Sequence, residues 1–180
     1  MNKQIKQMKI MLVILVLVII CVAGVMFYNK TQSDKEAASE AEKTLCEIDS
    51  ADITAFSYML DGSEYSFALE DEAWVYEGDS SLSISTDAVE EMLSAVSAVA
   101  YTEVVEDAED LSSYGLDEPT NVITITTADE TYVFTIGDKN AITYDYYMLY
   151  NDDDTIYTVS SDLTDAFSAS LDDLLEDASE

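Results

Sequence analysis

The stretch Ile53–Tyr76, ITAFSYMLDGSEYSFALEDEAWVY, decides the fold class. Ile53 to Leu60 reads as a strand, rich in β-branched and aromatic residues. Asp61-Gly62 is a hairpin signal, because a two-residue turn needs positive φ at its centre. Tyr65 to Leu69 then alternates apolar with small or polar residues, as a half-buried partner strand does. Asp71-Glu72 turn the chain again into a third strand, Ala73-Trp74-Val75-Tyr76. Three strands joined by tight turns form an antiparallel meander.

Downstream the period changes to that of a helix. Ser85-Thr86-Asp87 opens it, with Asp87 and Glu90 as first-turn acids. Val89, Met92, Leu93, Val96 and Val99 fall at helical spacing on one apolar face. Thr102 to Val105 reads as a strand, and Ala108 to Tyr114 as a short helical turn capped by Gly115 and stopped by Pro119. A second meander follows. Val122–Thr126 and Tyr132–Ile136 flank Ala128-Asp129-Glu130, Gly137 to Asn140 turn the chain, and Ile142–Tyr150 and Thr155–Val159 flank Asn151–Asp154. Leu163, Phe167, Leu171, Leu174 and Leu175 mark a closing amphipathic helix. The class is α+β: antiparallel hairpins and meanders with two main packed helices. Meander-then-helix occurs twice, but the residues do not align well enough to assert a duplication.

Upstream, residues 28–44 are a polar linker, in which Ser33 and Glu36 have capping-box spacing. Before it, Ile10 to Phe27 is an unbroken run of eighteen apolar residues. As a helix this run spans roughly 27 Å, close to the hydrocarbon thickness of a bilayer. Lys3, Lys6 and Lys9 precede it with no acid, which places residues 1–9 in the cytoplasm, and Tyr28 and Lys30 stand where headgroup anchors belong. The reading is an N-terminal transmembrane helix over 10–27, with the domain over 45–178 outside the cytoplasmic membrane. Two other fates fit the same run: cleavage as a signal peptide near Ala23, and acylation of Cys21.

Charge is as asymmetric as hydropathy. All 38 acids and only three lysines follow Lys30, a formal −35. That charge repels nucleic acid and anionic headgroups, so nucleic-acid binding is excluded. The chain has no histidine and no arginine, which excludes Ser-His and Cys-His catalysis, histidine-bound zinc and arginine phosphate clamps within it. Cys46 is the one cysteine beyond the apolar run, so the domain has no internal disulfide.

The segment Leu111-Ser112-Ser113-Tyr114-Gly115-Leu116-Asp117-Glu118-Pro119 carries a further signal. With Trp74 in a strand before a helix, Ile136-Gly137-Asp138 closing a strand and Tyr146-Tyr147 after it, the segment resembles the signature of the bacterial domain of unknown function 4340 family. The resemblance spans roughly Leu45 to Phe167. It implies a membrane-tethered extracytoplasmic α+β module, with some relatives resembling accessory components of ABC-transporter systems, and it carries over no catalytic residues. Tyr114, Gly115, Leu116, Asp117 and Pro119 read as a structural signature: Gly115 supplies positive φ, Leu116 plugs the core and Pro119 launches a strand.

Three features are weighed as chemistry. The acid clusters Glu103–Asp110, Asp152–Asp154 and Asp172–Asp177 offer oxygen ligands but lack a calcium-loop order, so they predict a solvated acidic surface with weak divalent-cation uptake and no specific metal site. Carboxylate pairs abound without one marked for glycosidase work, so no catalytic residue and no cofactor is assigned. Tyr144, Tyr146 and Tyr150 alternate along one strand face, either core packing or a partner-contact face. The expected function is a noncatalytic membrane-anchored interaction or scaffold module of the bacterial envelope, accessory to a transporter. The alternative is an extracytoplasmic sensor of a small ligand or cation.

Overall fold

Residues 43–106, 108, 110–151 and 153–176 are described by the computed structural model. The expected basic N-terminus, the membrane helix over 10–27 and the linker up to residue 42 lie outside them, as do Cys21, Ala23, Asp107, Glu109, Asp152 and Asp177. Among the described residues no helix is long and apolar enough to cross a membrane.

The chain enters as β1 (Thr44–Cys46) and makes a single 3-10 turn (Ser50–Asp52) before the first meander. That meander is β2 (Ile53–Leu60), β3 (Ser63–Glu70) and β4 (Ala73–Tyr76). Asp61 and Gly62 take φ of 51° and 75°, the pair of positive values that the hairpin signal required. Asp71 and Glu72 do the same at 48° and 68°. Helix α1 (Thr86–Leu93) starts at Ser85, whose hydroxyl accepts from the Ala88 amide. Short strands β5 (Val99–Ala100) and β6 (Glu103–Val104) precede a 3-10 turn over Leu111–Tyr114. The second meander is β7 (Asn121–Thr127), β8 (Thr131–Lys139), β9 (Tyr146–Tyr150) and β10 (Tyr157–Val159). Helix α2 (Ser161–Ala166) and a 3-10 turn (Leu171–Leu174) close the described chain. The architecture is α+β, as expected.

The two meanders fuse through their first strands. One antiparallel sheet runs β4-β3-β2-β7-β8-β9-β10-β6, while β1 and β5 form a separate two-stranded ribbon. Phe56 stands opposite Phe67 on one side and Ile125 on the other, so alternation sends one set of side chains under the helices. Phe56, Tyr58, Phe67, Ile123, Ile125, Phe134, Ile136 and Met148 are all buried. Val89, Met92 and Leu93 of α1, with Leu163 and Phe167, pack down on them. Phe56 centres an aromatic cluster, stacked on Phe67 at 4.7 Å and edge-on to Trp74 at 5.1 Å and Phe167 at 6.4 Å. Each phenylalanine buried here contributes about 1.5–3 kcal/mol of transfer free energy.

The alternate positions point away from the helices. Ala55, Ser57, Met59, Ser66, Ala68, Val75, Val122, Thr124, Thr126, Val133, Thr135 and Leu149 are half-exposed, and none is charged. Glu64 and Glu70 stand only at the margin of this open face.

Three elements differ from the sequence expectation. The first helix gives way after Leu93 to a 3-10 turn over Ser94–Val96, because the Ser94 hydroxyl bonds the Glu91 carbonyl and Ser97 bonds that of Ser94. Val99 therefore belongs to β5, not to the helix face. The closing helix is two pieces. Asn121 and Tyr58 donate to the carbonyls of Phe167 and Ala169, drawing that segment onto the sheet, and Ser170 with Asp173 starts a new turn through a capping box. Finally, the expected turn at Gly137–Asn140 lies further on. Strand β8 continues to Lys139, and the Asn140 side-chain oxygen accepts from the amides of Ile142 and Thr143 to close a loop ending at Asp145.

Candidate functional site

The site is a groove between α1 and α2, about 570 Å³, on the helical side of the sheet. Its floor is Ala88, Met92, Ala95, Ala166, Ala169 and Leu174, and its banks carry Glu91, Asp162, Asp165 and Asp173. The positions follow from helical spacing: Ala88, Met92 and Ala95 share one face of α1 and the turn after it. The opposite wall is fixed from below. The Tyr58 hydroxyl donates to the Ala169 carbonyl at 2.8 Å. Asn121, one of two buried polar residues among those described, donates to the Phe167 carbonyl at 3.1 Å and accepts from the Met59 amide at 2.8 Å. Burial, with the charge of Asp173 and neighbouring tyrosines adding to it, pushes the Tyr58 phenol far above its usual range. The Ser170 hydroxyl and amide hold the Asp173 carboxyl below its ordinary value. Ser94 also lines the groove, its hydroxyl donating to the Glu91 carbonyl, and a mainly apolar floor under a carboxylate rim can bind an apolar group and a cation together.

The expected signature residues form a clasp on the far side of the sheet. Gly115 has φ 67°, and the Leu116 amide reaches back to the Leu111 carbonyl at 3.0 Å, a Schellman closure of the 3-10 turn. The clasp rests on Gly137, where an added Cβ would lie 2.2 Å from the Tyr114 carbonyl oxygen and 3.0 Å from the Leu116 side chain. Tyr114 meets Tyr147 edge-on at 4.9 Å, and Thr120 bonds the carbonyls of Ile136 and Gly137. Leu116 is buried, as expected, and sits beside Gly137, outside the contiguous cluster under the helices. Asp117 is exposed, and Pro119 stands half-buried just before β7.

The tyrosine face divides. Tyr146 and Tyr150 alternate with buried Met148 and pack against the core, Tyr150 lying 5.4 Å from Phe134. Tyr144 does not share their strand. It sits in the Asn140–Asp145 loop at φ 67° and is 67% exposed, and Ile142 beside it is 86% exposed. The Lys139 ammonium lies 5.9 Å from the Tyr144 ring and 5.1 Å from that of Tyr146. Tyr144 therefore does not alternate with Tyr146 and Tyr150 along one strand face, although it and Tyr146 flank the same ammonium. Cys46 is half-buried against Tyr150; burial raises its thiol above the usual value, opposed by hydrogen bonds from Tyr150 and the Val99 backbone.

A second concavity near β1, about 430 Å³, gathers Glu47, Asp49, Asp52, Asp129 and Glu130 beside Tyr132, whose hydroxyl donates to Glu130 at 2.9 Å. Among the described residues no group of three or more His, Cys, Asp or Glu is arranged to hold a metal ion. The sequence reading missed the groove and Asn121. The alanines at 88, 95, 166 and 169 were signals, but small residues on a helix face look like any packed surface until the partner helix is placed.

The clasp, the strand it rests on and both helices fall within one family match. Residues 74–179 match the family described as Domain of unknown function (DUF4340). The chain belongs to this family. The DUF4340 match begins at Trp74, later than the Leu45 from which the resemblance reads, so β1, β2 and β3 lie before it and the groove within it. Neither curated proteins nor solved structures give a match to set beside the DUF4340 family.

Proposed function

We propose that this chain is a noncatalytic interaction module of the bacterial envelope, anchored by residues 10–27 with its N-terminus cytoplasmic and its domain outside, accessory to a transporter. One observation carries the reading: the open sheet face. In a chain with 38 acids, twelve half-exposed positions of this face, across β2, β3, β4, β7, β8 and β9, bear no charge, and Glu64 and Glu70 stand only at its margin. Such a face can be desolvated without burying a carboxylate, the costly step in forming an interface. The lysine-flanked apolar run at residues 3–27 supports the anchoring.

The test is crosslinking of the full-length protein in its native membrane through a photoreactive residue at Val122 or Ser66. Co-isolation of a defined membrane protein, such as a transporter permease, supports the reading. Recovery of the chain alone, with stabilisation by a small solute or cation instead, would shift the assignment to the sensor reading.

A further inference from the structure

We infer that the groove between α1 and α2 is the docking site for a cationic amphipathic helical segment of a partner protein, whose apolar face meets the alanine floor and whose lysines or arginines meet the acid banks. The inference goes beyond the interaction reading above and does not rest on the open sheet face, which lies on the other side of the sheet.

Three observations carry it. First, the floor is built for close backbone approach. Ala88, Ala95 and Ala166 leave room where longer side chains would fill the groove, and helices pack about 8–10 Å apart when contact residues are small. Secondly, the rim is charged on both banks: Glu91 on α1, and Asp162, Asp165 and Asp173 across from it, all four exposed. The two lysines among the described residues are engaged elsewhere. Lys43 donates to the Thr102 carbonyl, and Lys139 lies over Tyr144 and Tyr146. The domain's own described cations thus do not neutralise the rim, and a partner's can. Thirdly, the wall is preorganised, because Tyr58 and Asn121 fix the carbonyls of Ala169 and Phe167 from the sheet beneath. Binding need not order that wall. The bank from Thr86 to Val96 is eleven residues. A helix of about three turns matches it, with cations at i, i+3 and i+4 to reach both rims.

The test uses the full-length chain in detergent micelles and, as probe, a fluorescein-labelled fourteen-residue peptide of alternating leucine and lysine pairs patterned to form an amphipathic helix. Anisotropy is read at physiological salt. Glu91→Gln/Asp162→Asn/Asp165→Asn should weaken binding about tenfold, the sum of three rim-exposed ion pairs. The control Glu64→Gln/Glu70→Gln/Glu103→Gln removes the same charge from exposed sites elsewhere and should change binding less than about twofold, since screening confines each pair to short range. Ala95→Trp fills the floor and should abolish binding while the melting temperature stays that of a folded chain. Equal losses in the two triple variants would reduce the attraction to diffuse polyanion binding and overturn the inference. So would undiminished binding to Ala95→Trp, or no binding of the probe to the unaltered chain. Because crosslinks at Val122 report on the other face, loss of one result leaves the other readable.

Discussion

Substituting Gly137 by alanine places a methyl carbon 2.2 Å from the Tyr114 carbonyl oxygen and 3.0 Å from Leu116. The first contact is with backbone, so no rotamer relieves it. Either β8 shifts, at about 1–3 kcal/mol for an overpacked site, or the clasp lifts off the sheet. Lifting forfeits the burial of Leu116, about 1.5–3 kcal/mol, and the Tyr114–Tyr147 edge contact, about 0.5–1.5 kcal/mol. The cheaper route sets the cost, so Gly137→Ala should lose about 1–3 kcal/mol. Two other glycines calibrate the number. Gly62 has φ 75° and nothing within 4 Å, so Gly62→Ala carries only left-handed strain, about 1–2 kcal/mol. At Gly78 the contact is the Tyr76 ring, a side chain able to swing aside. Urea unfolding with hydrogen exchange at Leu111–Leu116 reads both outcomes. Lifting predicts faster exchange there with the sheet protected; wild-type stability and exchange in Gly137→Ala would refute the packing argument.

Asn121→Ala strands the buried Phe167 carbonyl and the partly buried Met59 amide, and should cost about 2–6 kcal/mol in denaturant unfolding, at about 1–3 kcal/mol per orphaned group. Toward acid, two effects oppose. Protonation relieves the self-repulsion of a formal −31 chain, so the melting temperature should rise as pH falls from 7. Asp79, Asp153 and Asp173 have depressed carboxyl values because serine or threonine hydroxyls and amides bond them; their stabilisation is present above the unfolded value of 3.8 and lost as pH falls through the folded values. A melting temperature that falls steadily from pH 7 would contradict this order. Toward alkali, Tyr58, Tyr150 and Cys46 have raised values, so their contribution is complete below 10.0 for the phenols and 9.0 for the thiol, then lost as pH climbs through the folded values; base titration followed by tyrosine absorbance should show two late phenols ionising with unfolding. Added salt or millimolar calcium should raise the melting temperature by screening, and indifference to both would disprove the repulsion argument.

The first meander was legible because its signals are local. Asp61-Gly62 and the alternation of Phe56, Tyr58, Tyr65 and Phe67 are read within a dozen residues, and the structure keeps them. The closing helix was misjudged because its break depends on distant partners: Asn121 and Tyr58 lie 46 and 111 residues from the carbonyls they hold. Tyr144 was placed in a strand because Asn140 was read as the end of a turn, whereas its side chain begins one. The groove was illegible for the same reason as the break. Its two banks are set by separate helices, and no window of sequence contains both.

The strand order has a mechanical consequence. Tension applied where the described chain begins, at Lys43, acts first on the ribbon in which Thr44 pairs with Ala100 and Cys46 with Val99, a latch of few bonds that should open at low force. Behind the latch lies β2, flanked by β3 and β7 in the middle of the sheet. Pulling β2 out along its own axis would shear both ladders at once, not peel one bond at a time. A tug on the N-terminal side therefore meets a compliant first stage and a stiff second one, so the chain can lengthen by a few residues under load while its helices and clasp stay folded.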